Sequence, residues 1–139
     1  MPSWKAMVLS GSKNGSLILI VDDDEVTRDS CLQVLSKAGY QVVTASDGDS
    51  GLAEVKRSGP DLVLIDLNMP GISGLEVIDL LNKVDPGILK VVITGNTTID
   101  LDEEIMNKRG ASGYLRKPFV PNELKSIVEK TLGVSRVVE

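Results

Sequence analysis

Asp22, Asp23, Asp66 and Lys117 are the residues of this chain best suited to do chemistry, and each follows a short apolar run. Leu17-Ile18-Leu19-Ile20-Val21 leads into Asp22-Asp23-Asp24. Leu62-Val63-Leu64-Ile65 leads into Asp66-Leu67-Asn68-Met69-Pro70-Gly71, and Gly113-Tyr114-Leu115-Arg116 into Lys117-Pro118-Phe119. Runs of Leu, Ile and Val bounded by turn residues read as buried parallel strands. Strands of one parallel sheet end on one edge, where open α/β sheets bind ligands. Several carboxylates and one ammonium therefore converge there. Carboxylates at such distances repel unless a cation joins them. The pattern predicts a hard divalent metal beside a reactive carboxylate.

The elements that must position these groups alternate along the chain. The spacing predicts strand 17–22, helix 25–38, strand 41–45, helix 49–57 and strand 61–66. Helix 74–83, strand 90–94, a weakly patterned helix near 99–108, strand 113–116 and helix 121–132 follow. Cys31, Val34, Leu35 and Ala38 form the apolar stripe of the first helix, and Gly39 stops it. Ser73-Gly74-Leu75-Glu76 fits a capping box, and Pro121 suits a first helical turn. Asp24 and Glu25 fit the start of the first helix, where acids are favoured. Five strands alternating with five helices give an α/β, doubly wound sheet. Right-handed crossovers place the strands in the order 2-1-3-4-5, so that Asp22, Asp23 and Asp66 meet at the switch point.

Composition narrows the function. At 139 residues the chain suits one domain. With 3% aromatic residues its core must be aliphatic. The net charge of −5 suits no direct binding of nucleic acid. No apolar run approaches the ~18 residues of a membrane span, and no segment reads as a secretion signal. The single cysteine forms no internal disulfide and fits a reducing, cytoplasmic setting. It lies on the apolar stripe and reads as core. There is no histidine, which excludes a His-based triad, a His-ligated zinc and a phosphohistidine carrier within this chain. Asn14-Gly15-Ser16 and Asn96-Thr97-Thr98 match the glycosylation tripeptide by chance.

Val21-Asp22-Asp23, Asp66 with Met69-Pro70-Gly71, Thr94-Gly95 and Lys117-Pro118-Phe119, in that order and at strand ends, resemble the receiver domain of two-component response regulators. The resemblance spans about residues 17–132 and implies a flavodoxin-like (βα)5 fold. Residues 1–16 are then a flexible lead-in and 133–139 a tail. It implies Asp66 as the phosphoacceptor, with Asp23, Asp66 and the Asn68 backbone carbonyl as direct Mg²⁺ ligands. Asp22 is implied to act through a metal-bound water. Lys117 and Thr94 are implied to contact phosphoryl oxygens. Tyr114 is implied to reorient with Thr94, and Lys117-Pro118 to be a cis peptide. The implied partners are a sensor histidine kinase or phosphotransfer protein and an output domain or effector. A phosphorylation-dependent homodimer is also implied, with no membrane partner. The signalling face would join the fourth helix, fifth strand and fifth helix. The acids of the fourth (Asp100, Asp102, Glu103, Glu104) read as a solvated surface. Such a domain is a switch that assists its own phosphorylation and dephosphorylation, not an enzyme with turnover. Asn68 and Asn96 sit where the family tunes water access. No output domain follows Lys130, so the chain reads as a stand-alone receiver or one cut from a longer protein.

Two other classes fit less well. Haloacid-dehalogenase-like phosphatases also place a nucleophilic Asp after a strand, but need a second acid two residues later. Asn68 stands there and cannot exchange a proton. A nucleotide- or flavin-binding module needs a Gly-rich or hydroxyl-rich cradle after the first strand, where this chain has three acids.

Overall fold

The protein was described from a computed structural model, which describes residues 15–95 and 107–133. Its strands are β1 (Leu17–Val21), β2 (Gln41–Ala45), β3 (Leu62–Asp66), β4 (Leu89–Thr94) and β5 (Gly113–Arg116). The helices labelled here are α1 (Glu25–Lys37), α2 (Gly48–Ser58), α3 (Gly74–Val84) and α4 (Pro121–Leu132). All strand pairings are parallel, in the order β2-β1-β3-β4-β5. This is the doubly wound arrangement that the alternating pattern predicts. Of the helix expected near 99–108, residues 99–106 lie outside the described residues, as do Asn96, residues 1–14 and residues 134–139. Asn107 and Lys108 are helical, and Gly110 follows at φ 89°.

The alternation of strand side chains divides the core into two layers. Leu19, Val21, Val63, Ile65 and Val92 face Val55 of α2 and Val77, Ile78 and Leu81 of α3. Ile18, Ile20, Leu62, Leu64, Val91 and Ile93 face Cys31 and Leu35 of α1 and Leu124 and Val128 of α4. Each buried Leu, Ile or Val stabilises the fold by about 1.5–3 kcal/mol, so the central strands are strongly held. Caps set the helix starts. Asp24 accepts the Val26 N–H at 3.2 Å and the Thr27 hydroxyl at 2.6 Å. Ser73 Oγ accepts the Glu76 N–H at 3.2 Å, one half of the capping box read from the sequence, and donates to Glu76 Oε1 at 3.3 Å.

One strand residue departs from the aliphatic pattern. Lys90 opens the inward face of β4 and is 2% exposed. Its ammonium donates to the Ile88 carbonyl. Burial pushes its pKa down, and the charge of Asp85 partly opposes that. The hydrogen bond makes burial of this group tolerable.

Candidate functional site

The strand order places Asp22, just past β1, beside Asp66, the last residue of β3, since Val21 of β1 is in register with Ile65 of β3. Both acids are buried, whereas Asp23 is exposed. Oxygens of Asp22, Asp23 and Asp66 lie within 4.8 Å of one another. Lys117 arrives from the end of β5. Its ammonium stands 3.0 Å from Asp22 Oδ2 and 3.3 Å from Asp66 Oδ2. The sequence-predicted acids and ammonium are therefore one cluster.

Backbone contacts hold the cluster in place. Asp22 Oδ1 accepts the Asp24 N–H at 2.9 Å, and Asp66 Oδ1 accepts the Asn68 N–H at 2.9 Å. The Lys117 N–H donates to the Thr94 carbonyl at 2.7 Å, which ties the end of β5 to β4. The Lys117-Pro118 peptide is cis. Thr94 is buried at the end of β4, in register with Arg116. Tyr114 is half-buried two positions earlier on β5, and its hydroxyl donates to Asn107 Oδ1 at 2.7 Å.

The electrostatics follow from this crowding. Burial lifts the pKa of Asp66 above the ordinary carboxylate value. The Asn68 N–H pulls it back, the charge of Asp22 adds to the rise, and Lys117 opposes it. Burial pushes the pKa of Lys117 down, but its close approach to the Asp22 carboxylate, then to that of Asp66, raises it overall. A buried Asp22 oxygen, Oδ2, accepts no hydrogen bond of good geometry. It has the Lys117 charge beside it but no directed donor. Hard oxygen donors at this spacing, one of them open to water, suit an oxygen-seeking divalent cation that retains water ligands.

Two functional residues are missing from the sequence reading. Arg28 Nη1 donates to the Asp22 carbonyl at 2.8 Å, bracing the loop that bears Asp22 and Asp23. An Arg six residues beyond an acid carries no distinctive signal. Gly74 is the second. A Cβ there would lie 2.6 Å from the Asp66 carbonyl and 2.7 Å from the Leu67 Cα. Only a residue without a side chain lets α3 press against the acceptor loop. The sequence places Gly74 in a capping box and gives no hint of this contact. Beside the cluster, a cleft of about 530 Å³ opens between α1 and the segment after β5, lined by Val26, Thr27, Ser30, Lys117, Pro118 and Phe119. Cys31 stays in the core. Burial, then the charge of Asp22, pushes its thiol up to about 11.

The family model of the response regulator receiver domain matches residues 18–129. The chain belongs to this family. This receiver domain is similar to sporulation initiation phosphotransferase F of Bacillus subtilis (strain 168), with 35% identity over 115 residues, 83% of this chain and 92% of that protein. It is 36% identical over 115 residues to the DNA-binding response regulator MtrA of Mycobacterium tuberculosis (strain ATCC 25618 / H37Rv), covering 83% of this chain and 50% of MtrA. It thus spans about half the length of that regulator. Among solved structures, Vibrio cholerae chemotaxis protein CheY4 superposes with a TM-score of 0.78 at 29% identity, covering 84% of this chain and 98% of CheY4. Brucella abortus NtrX, in complex with ADP, gives 0.80 at 33% identity, covering 88% of this chain and 28% of NtrX. The receiver reading of the sequence and its fold are borne out. Among the described residues no helix is long and apolar enough to cross a membrane.

Proposed function

We propose that this receiver domain accepts a phosphoryl group on Asp66 from the phosphohistidine of a sensor histidine kinase or phosphotransfer protein. Asp66 Oδ attacks phosphorus, the P–O bond forms, and the P–N bond to the donor imidazole breaks with its electrons leaving on nitrogen. The observation that carries this reading is the single ammonium of Lys117 set between two buried carboxylates. That arrangement favours the ionised, attacking form of Asp66 against the effect of its burial, and it supplies a positive charge for a phosphoryl oxygen.

Asp22, Asp23, Asp66 and the Asn68 backbone carbonyl are the residues that would hold Mg²⁺. Bound there, Mg²⁺ offsets the carboxylate charge and favours charge build-up on the transferring group. Asp23 would meet the ion directly, and Asp22 would act through one of its waters. Lys117 grips one phosphoryl oxygen, and the Thr94 hydroxyl gives a hydrogen bond to another. Thr94 and Tyr114 then move together and alter the face around β5 and α4, which signals to an output domain or separate effector. The domain works in the cytoplasm as a switch, not as an enzyme with turnover, and a homodimer can form on phosphorylation.

Intact-mass measurement with Mg²⁺ and acetyl phosphate tests the proposal. The expected result is one base-labile phosphoryl adduct, lost with a chelator and in Asp66→Asn. An adduct that forms at the parent rate in Asp66→Asn would place the acceptor elsewhere. Steady turnover of the donor without an adduct would favour a phosphatase.

A further inference from the structure

The contact between Tyr114 and Asn107 belongs to a larger assembly. The Asn107 carbonyl accepts the Gly110 N–H at 3.0 Å and closes a turn. This turn is fastened to α3, because the Arg109 carbonyl accepts a hydrogen bond from Asn82 Nδ2. The Arg109 guanidinium stands 3.1 Å from Asp79 Oδ2. A Cβ on Gly110 would come within 3.1 Å of Asn82 Oδ1, so the turn lies directly against Asn82. Beyond the turn, the Ser112 N–H donates to the Lys90 carbonyl at 2.6 Å, and the Lys90 N–H donates to Ser112 Oγ at 3.3 Å. One side of the turn is thus fixed on α3 and the other on β4. Tyr114 packs on the core layer of α2 and α3 and reaches back to this fixed point with its hydroxyl.

We propose that Asn107 is a positioning residue for Tyr114, a latch that sets how readily phosphorylation shifts the switch. The inference rests on the reading of Asp66 and Tyr114 given above and adds a residue to it. Movement of the Tyr114 hydroxyl away from Asn107 breaks a neutral hydrogen bond, whose net worth corresponds to about 2–10-fold in an equilibrium. The anchor matters as much as the bond. An acceptor on an untethered turn would travel with the ring and oppose nothing, whereas Asn82 and Asp79 hold this one still. The exposed Arg109–Asp79 pair adds little alone, so Asn82 is the principal tether.

The test uses the full chain carrying fluorotyrosine, followed by fluorine NMR. The chain has two tyrosines, and Tyr40→Phe assigns the Tyr114 signal. Spectra are taken with Mg²⁺ alone and with Mg²⁺ and acetyl phosphate, and labelling rates by intact mass. Asn107→Ala is expected to move the donor-free Tyr114 signal toward its labelled position and to raise that population by about 2–10-fold. Labelling should quicken in the same direction. Asn107→Asp keeps an acceptor oxygen and should stay near the parent. Asn82→Ala leaves both partners in place but loosens the turn, and should shift the signal part of the way. Identical Tyr114 signals in the parent and Asn107→Ala, with Asp66 labelled normally in both, would overturn the latch alone. Absence of labelling in every variant would overturn the reading of Asp66 and the latch with it.

Discussion

Lys117 Nζ lies 3.0 Å from Asp22 Oδ2, an oxygen with no access to solvent, while reaching Asp66 Oδ2 at 3.3 Å with the same ammonium. One cation therefore holds together two buried anions carried by different strands. A divalent ion held by the same acids would take over part of that task, leaving the ammonium available for an incoming anion.

Lys117→Ala removes the shared cation and should destabilise the protein by about 1–3 kcal/mol at neutral pH. Asp66 already titrates above the ordinary value, chiefly through burial. In the interval between the unfolded and folded values, the folded state binds more protons than the unfolded one. Stability gained from this group therefore rises as pH falls through that interval, and the Lys117→Ala deficit should shrink there. Mg²⁺ should raise the melting temperature of Lys117→Ala more than that of the parent. Thermal unfolding across pH, with and without Mg²⁺, measures both effects. Equal stability of parent and variant at neutral pH would contradict the shared-cation picture.

Asp23→Ala should weaken Mg²⁺ binding more than Asp22→Ala. Asp23 is the exposed acid of the pair and can meet a hydrated ion directly. Loss of a residue acting through a ligand water costs about 10-fold in affinity, and loss of a direct ligand costs more. Calorimetric titration with Mg²⁺, without any phosphoryl donor, gives both constants. Undiminished binding in both variants would remove the metal from this site.

Gly74→Ala should disturb the acceptor loop from outside the charged cluster. The new methyl would press on the Asp66 carbonyl and the Leu67 Cα. Overpacking of this kind costs about 1–3 kcal/mol. The expected outcome is a lower melting temperature together with slower labelling of Asp66, because the shifted atoms belong to the acceptor itself. Chemical denaturation and intact-mass kinetics on the same sample check both.

Tyr40 supplies a test of alkaline stability away from the site. The residue is 4% exposed and its hydroxyl has no hydrogen-bond partner. Burial, then the charge of Glu129, pushes its pKa up to about 12 from 10.0. Between those values the unfolded chain has released the proton and the folded chain has kept it. Stability should therefore fall as pH rises through that window, by roughly 2–3 kcal/mol at its top. Urea denaturation at stepped alkaline pH should show a shallower loss for Tyr40→Phe, which carries no phenol to ionise.

Much of the site was legible because it sits where local pattern is strongest. Asp22, Asp66 and Lys117 each directly follow a short apolar strand, and strand order alone brings strand ends together. The α1 stripe and the Ser73–Glu76 cap are likewise short-range features. Contacts made to backbone atoms were not legible. Arg28 reaches a carbonyl rather than a side chain, so residue type gives no sign of its role. Gly74 reads as an ordinary helix start until α3 is placed against the acceptor loop. Asn107 and Asn82 become meaningful only when the turn before β5 is laid on α3, a contact between residues 27 apart in sequence for Asn82 and Arg109. Lys90 defeats the pattern outright, since nothing nearby announces the Ile88 carbonyl that receives its ammonium.

The placement of the strands gives the two halves of the charged cluster unequal protection. β1 and β3, which deliver the acids, have hydrogen-bonded neighbours on both sides, whereas β5, which delivers Lys117, is an edge strand of four residues. Amide protons of β5 should exchange with solvent through partial openings that leave β1 and β3 closed. In such an opening the carboxylates stay gathered while the ammonium leaves, so the cluster momentarily carries its full negative charge. The domain then has its strongest field for a divalent cation without unfolding its centre, and cation capture and edge-strand fraying become thermodynamically linked.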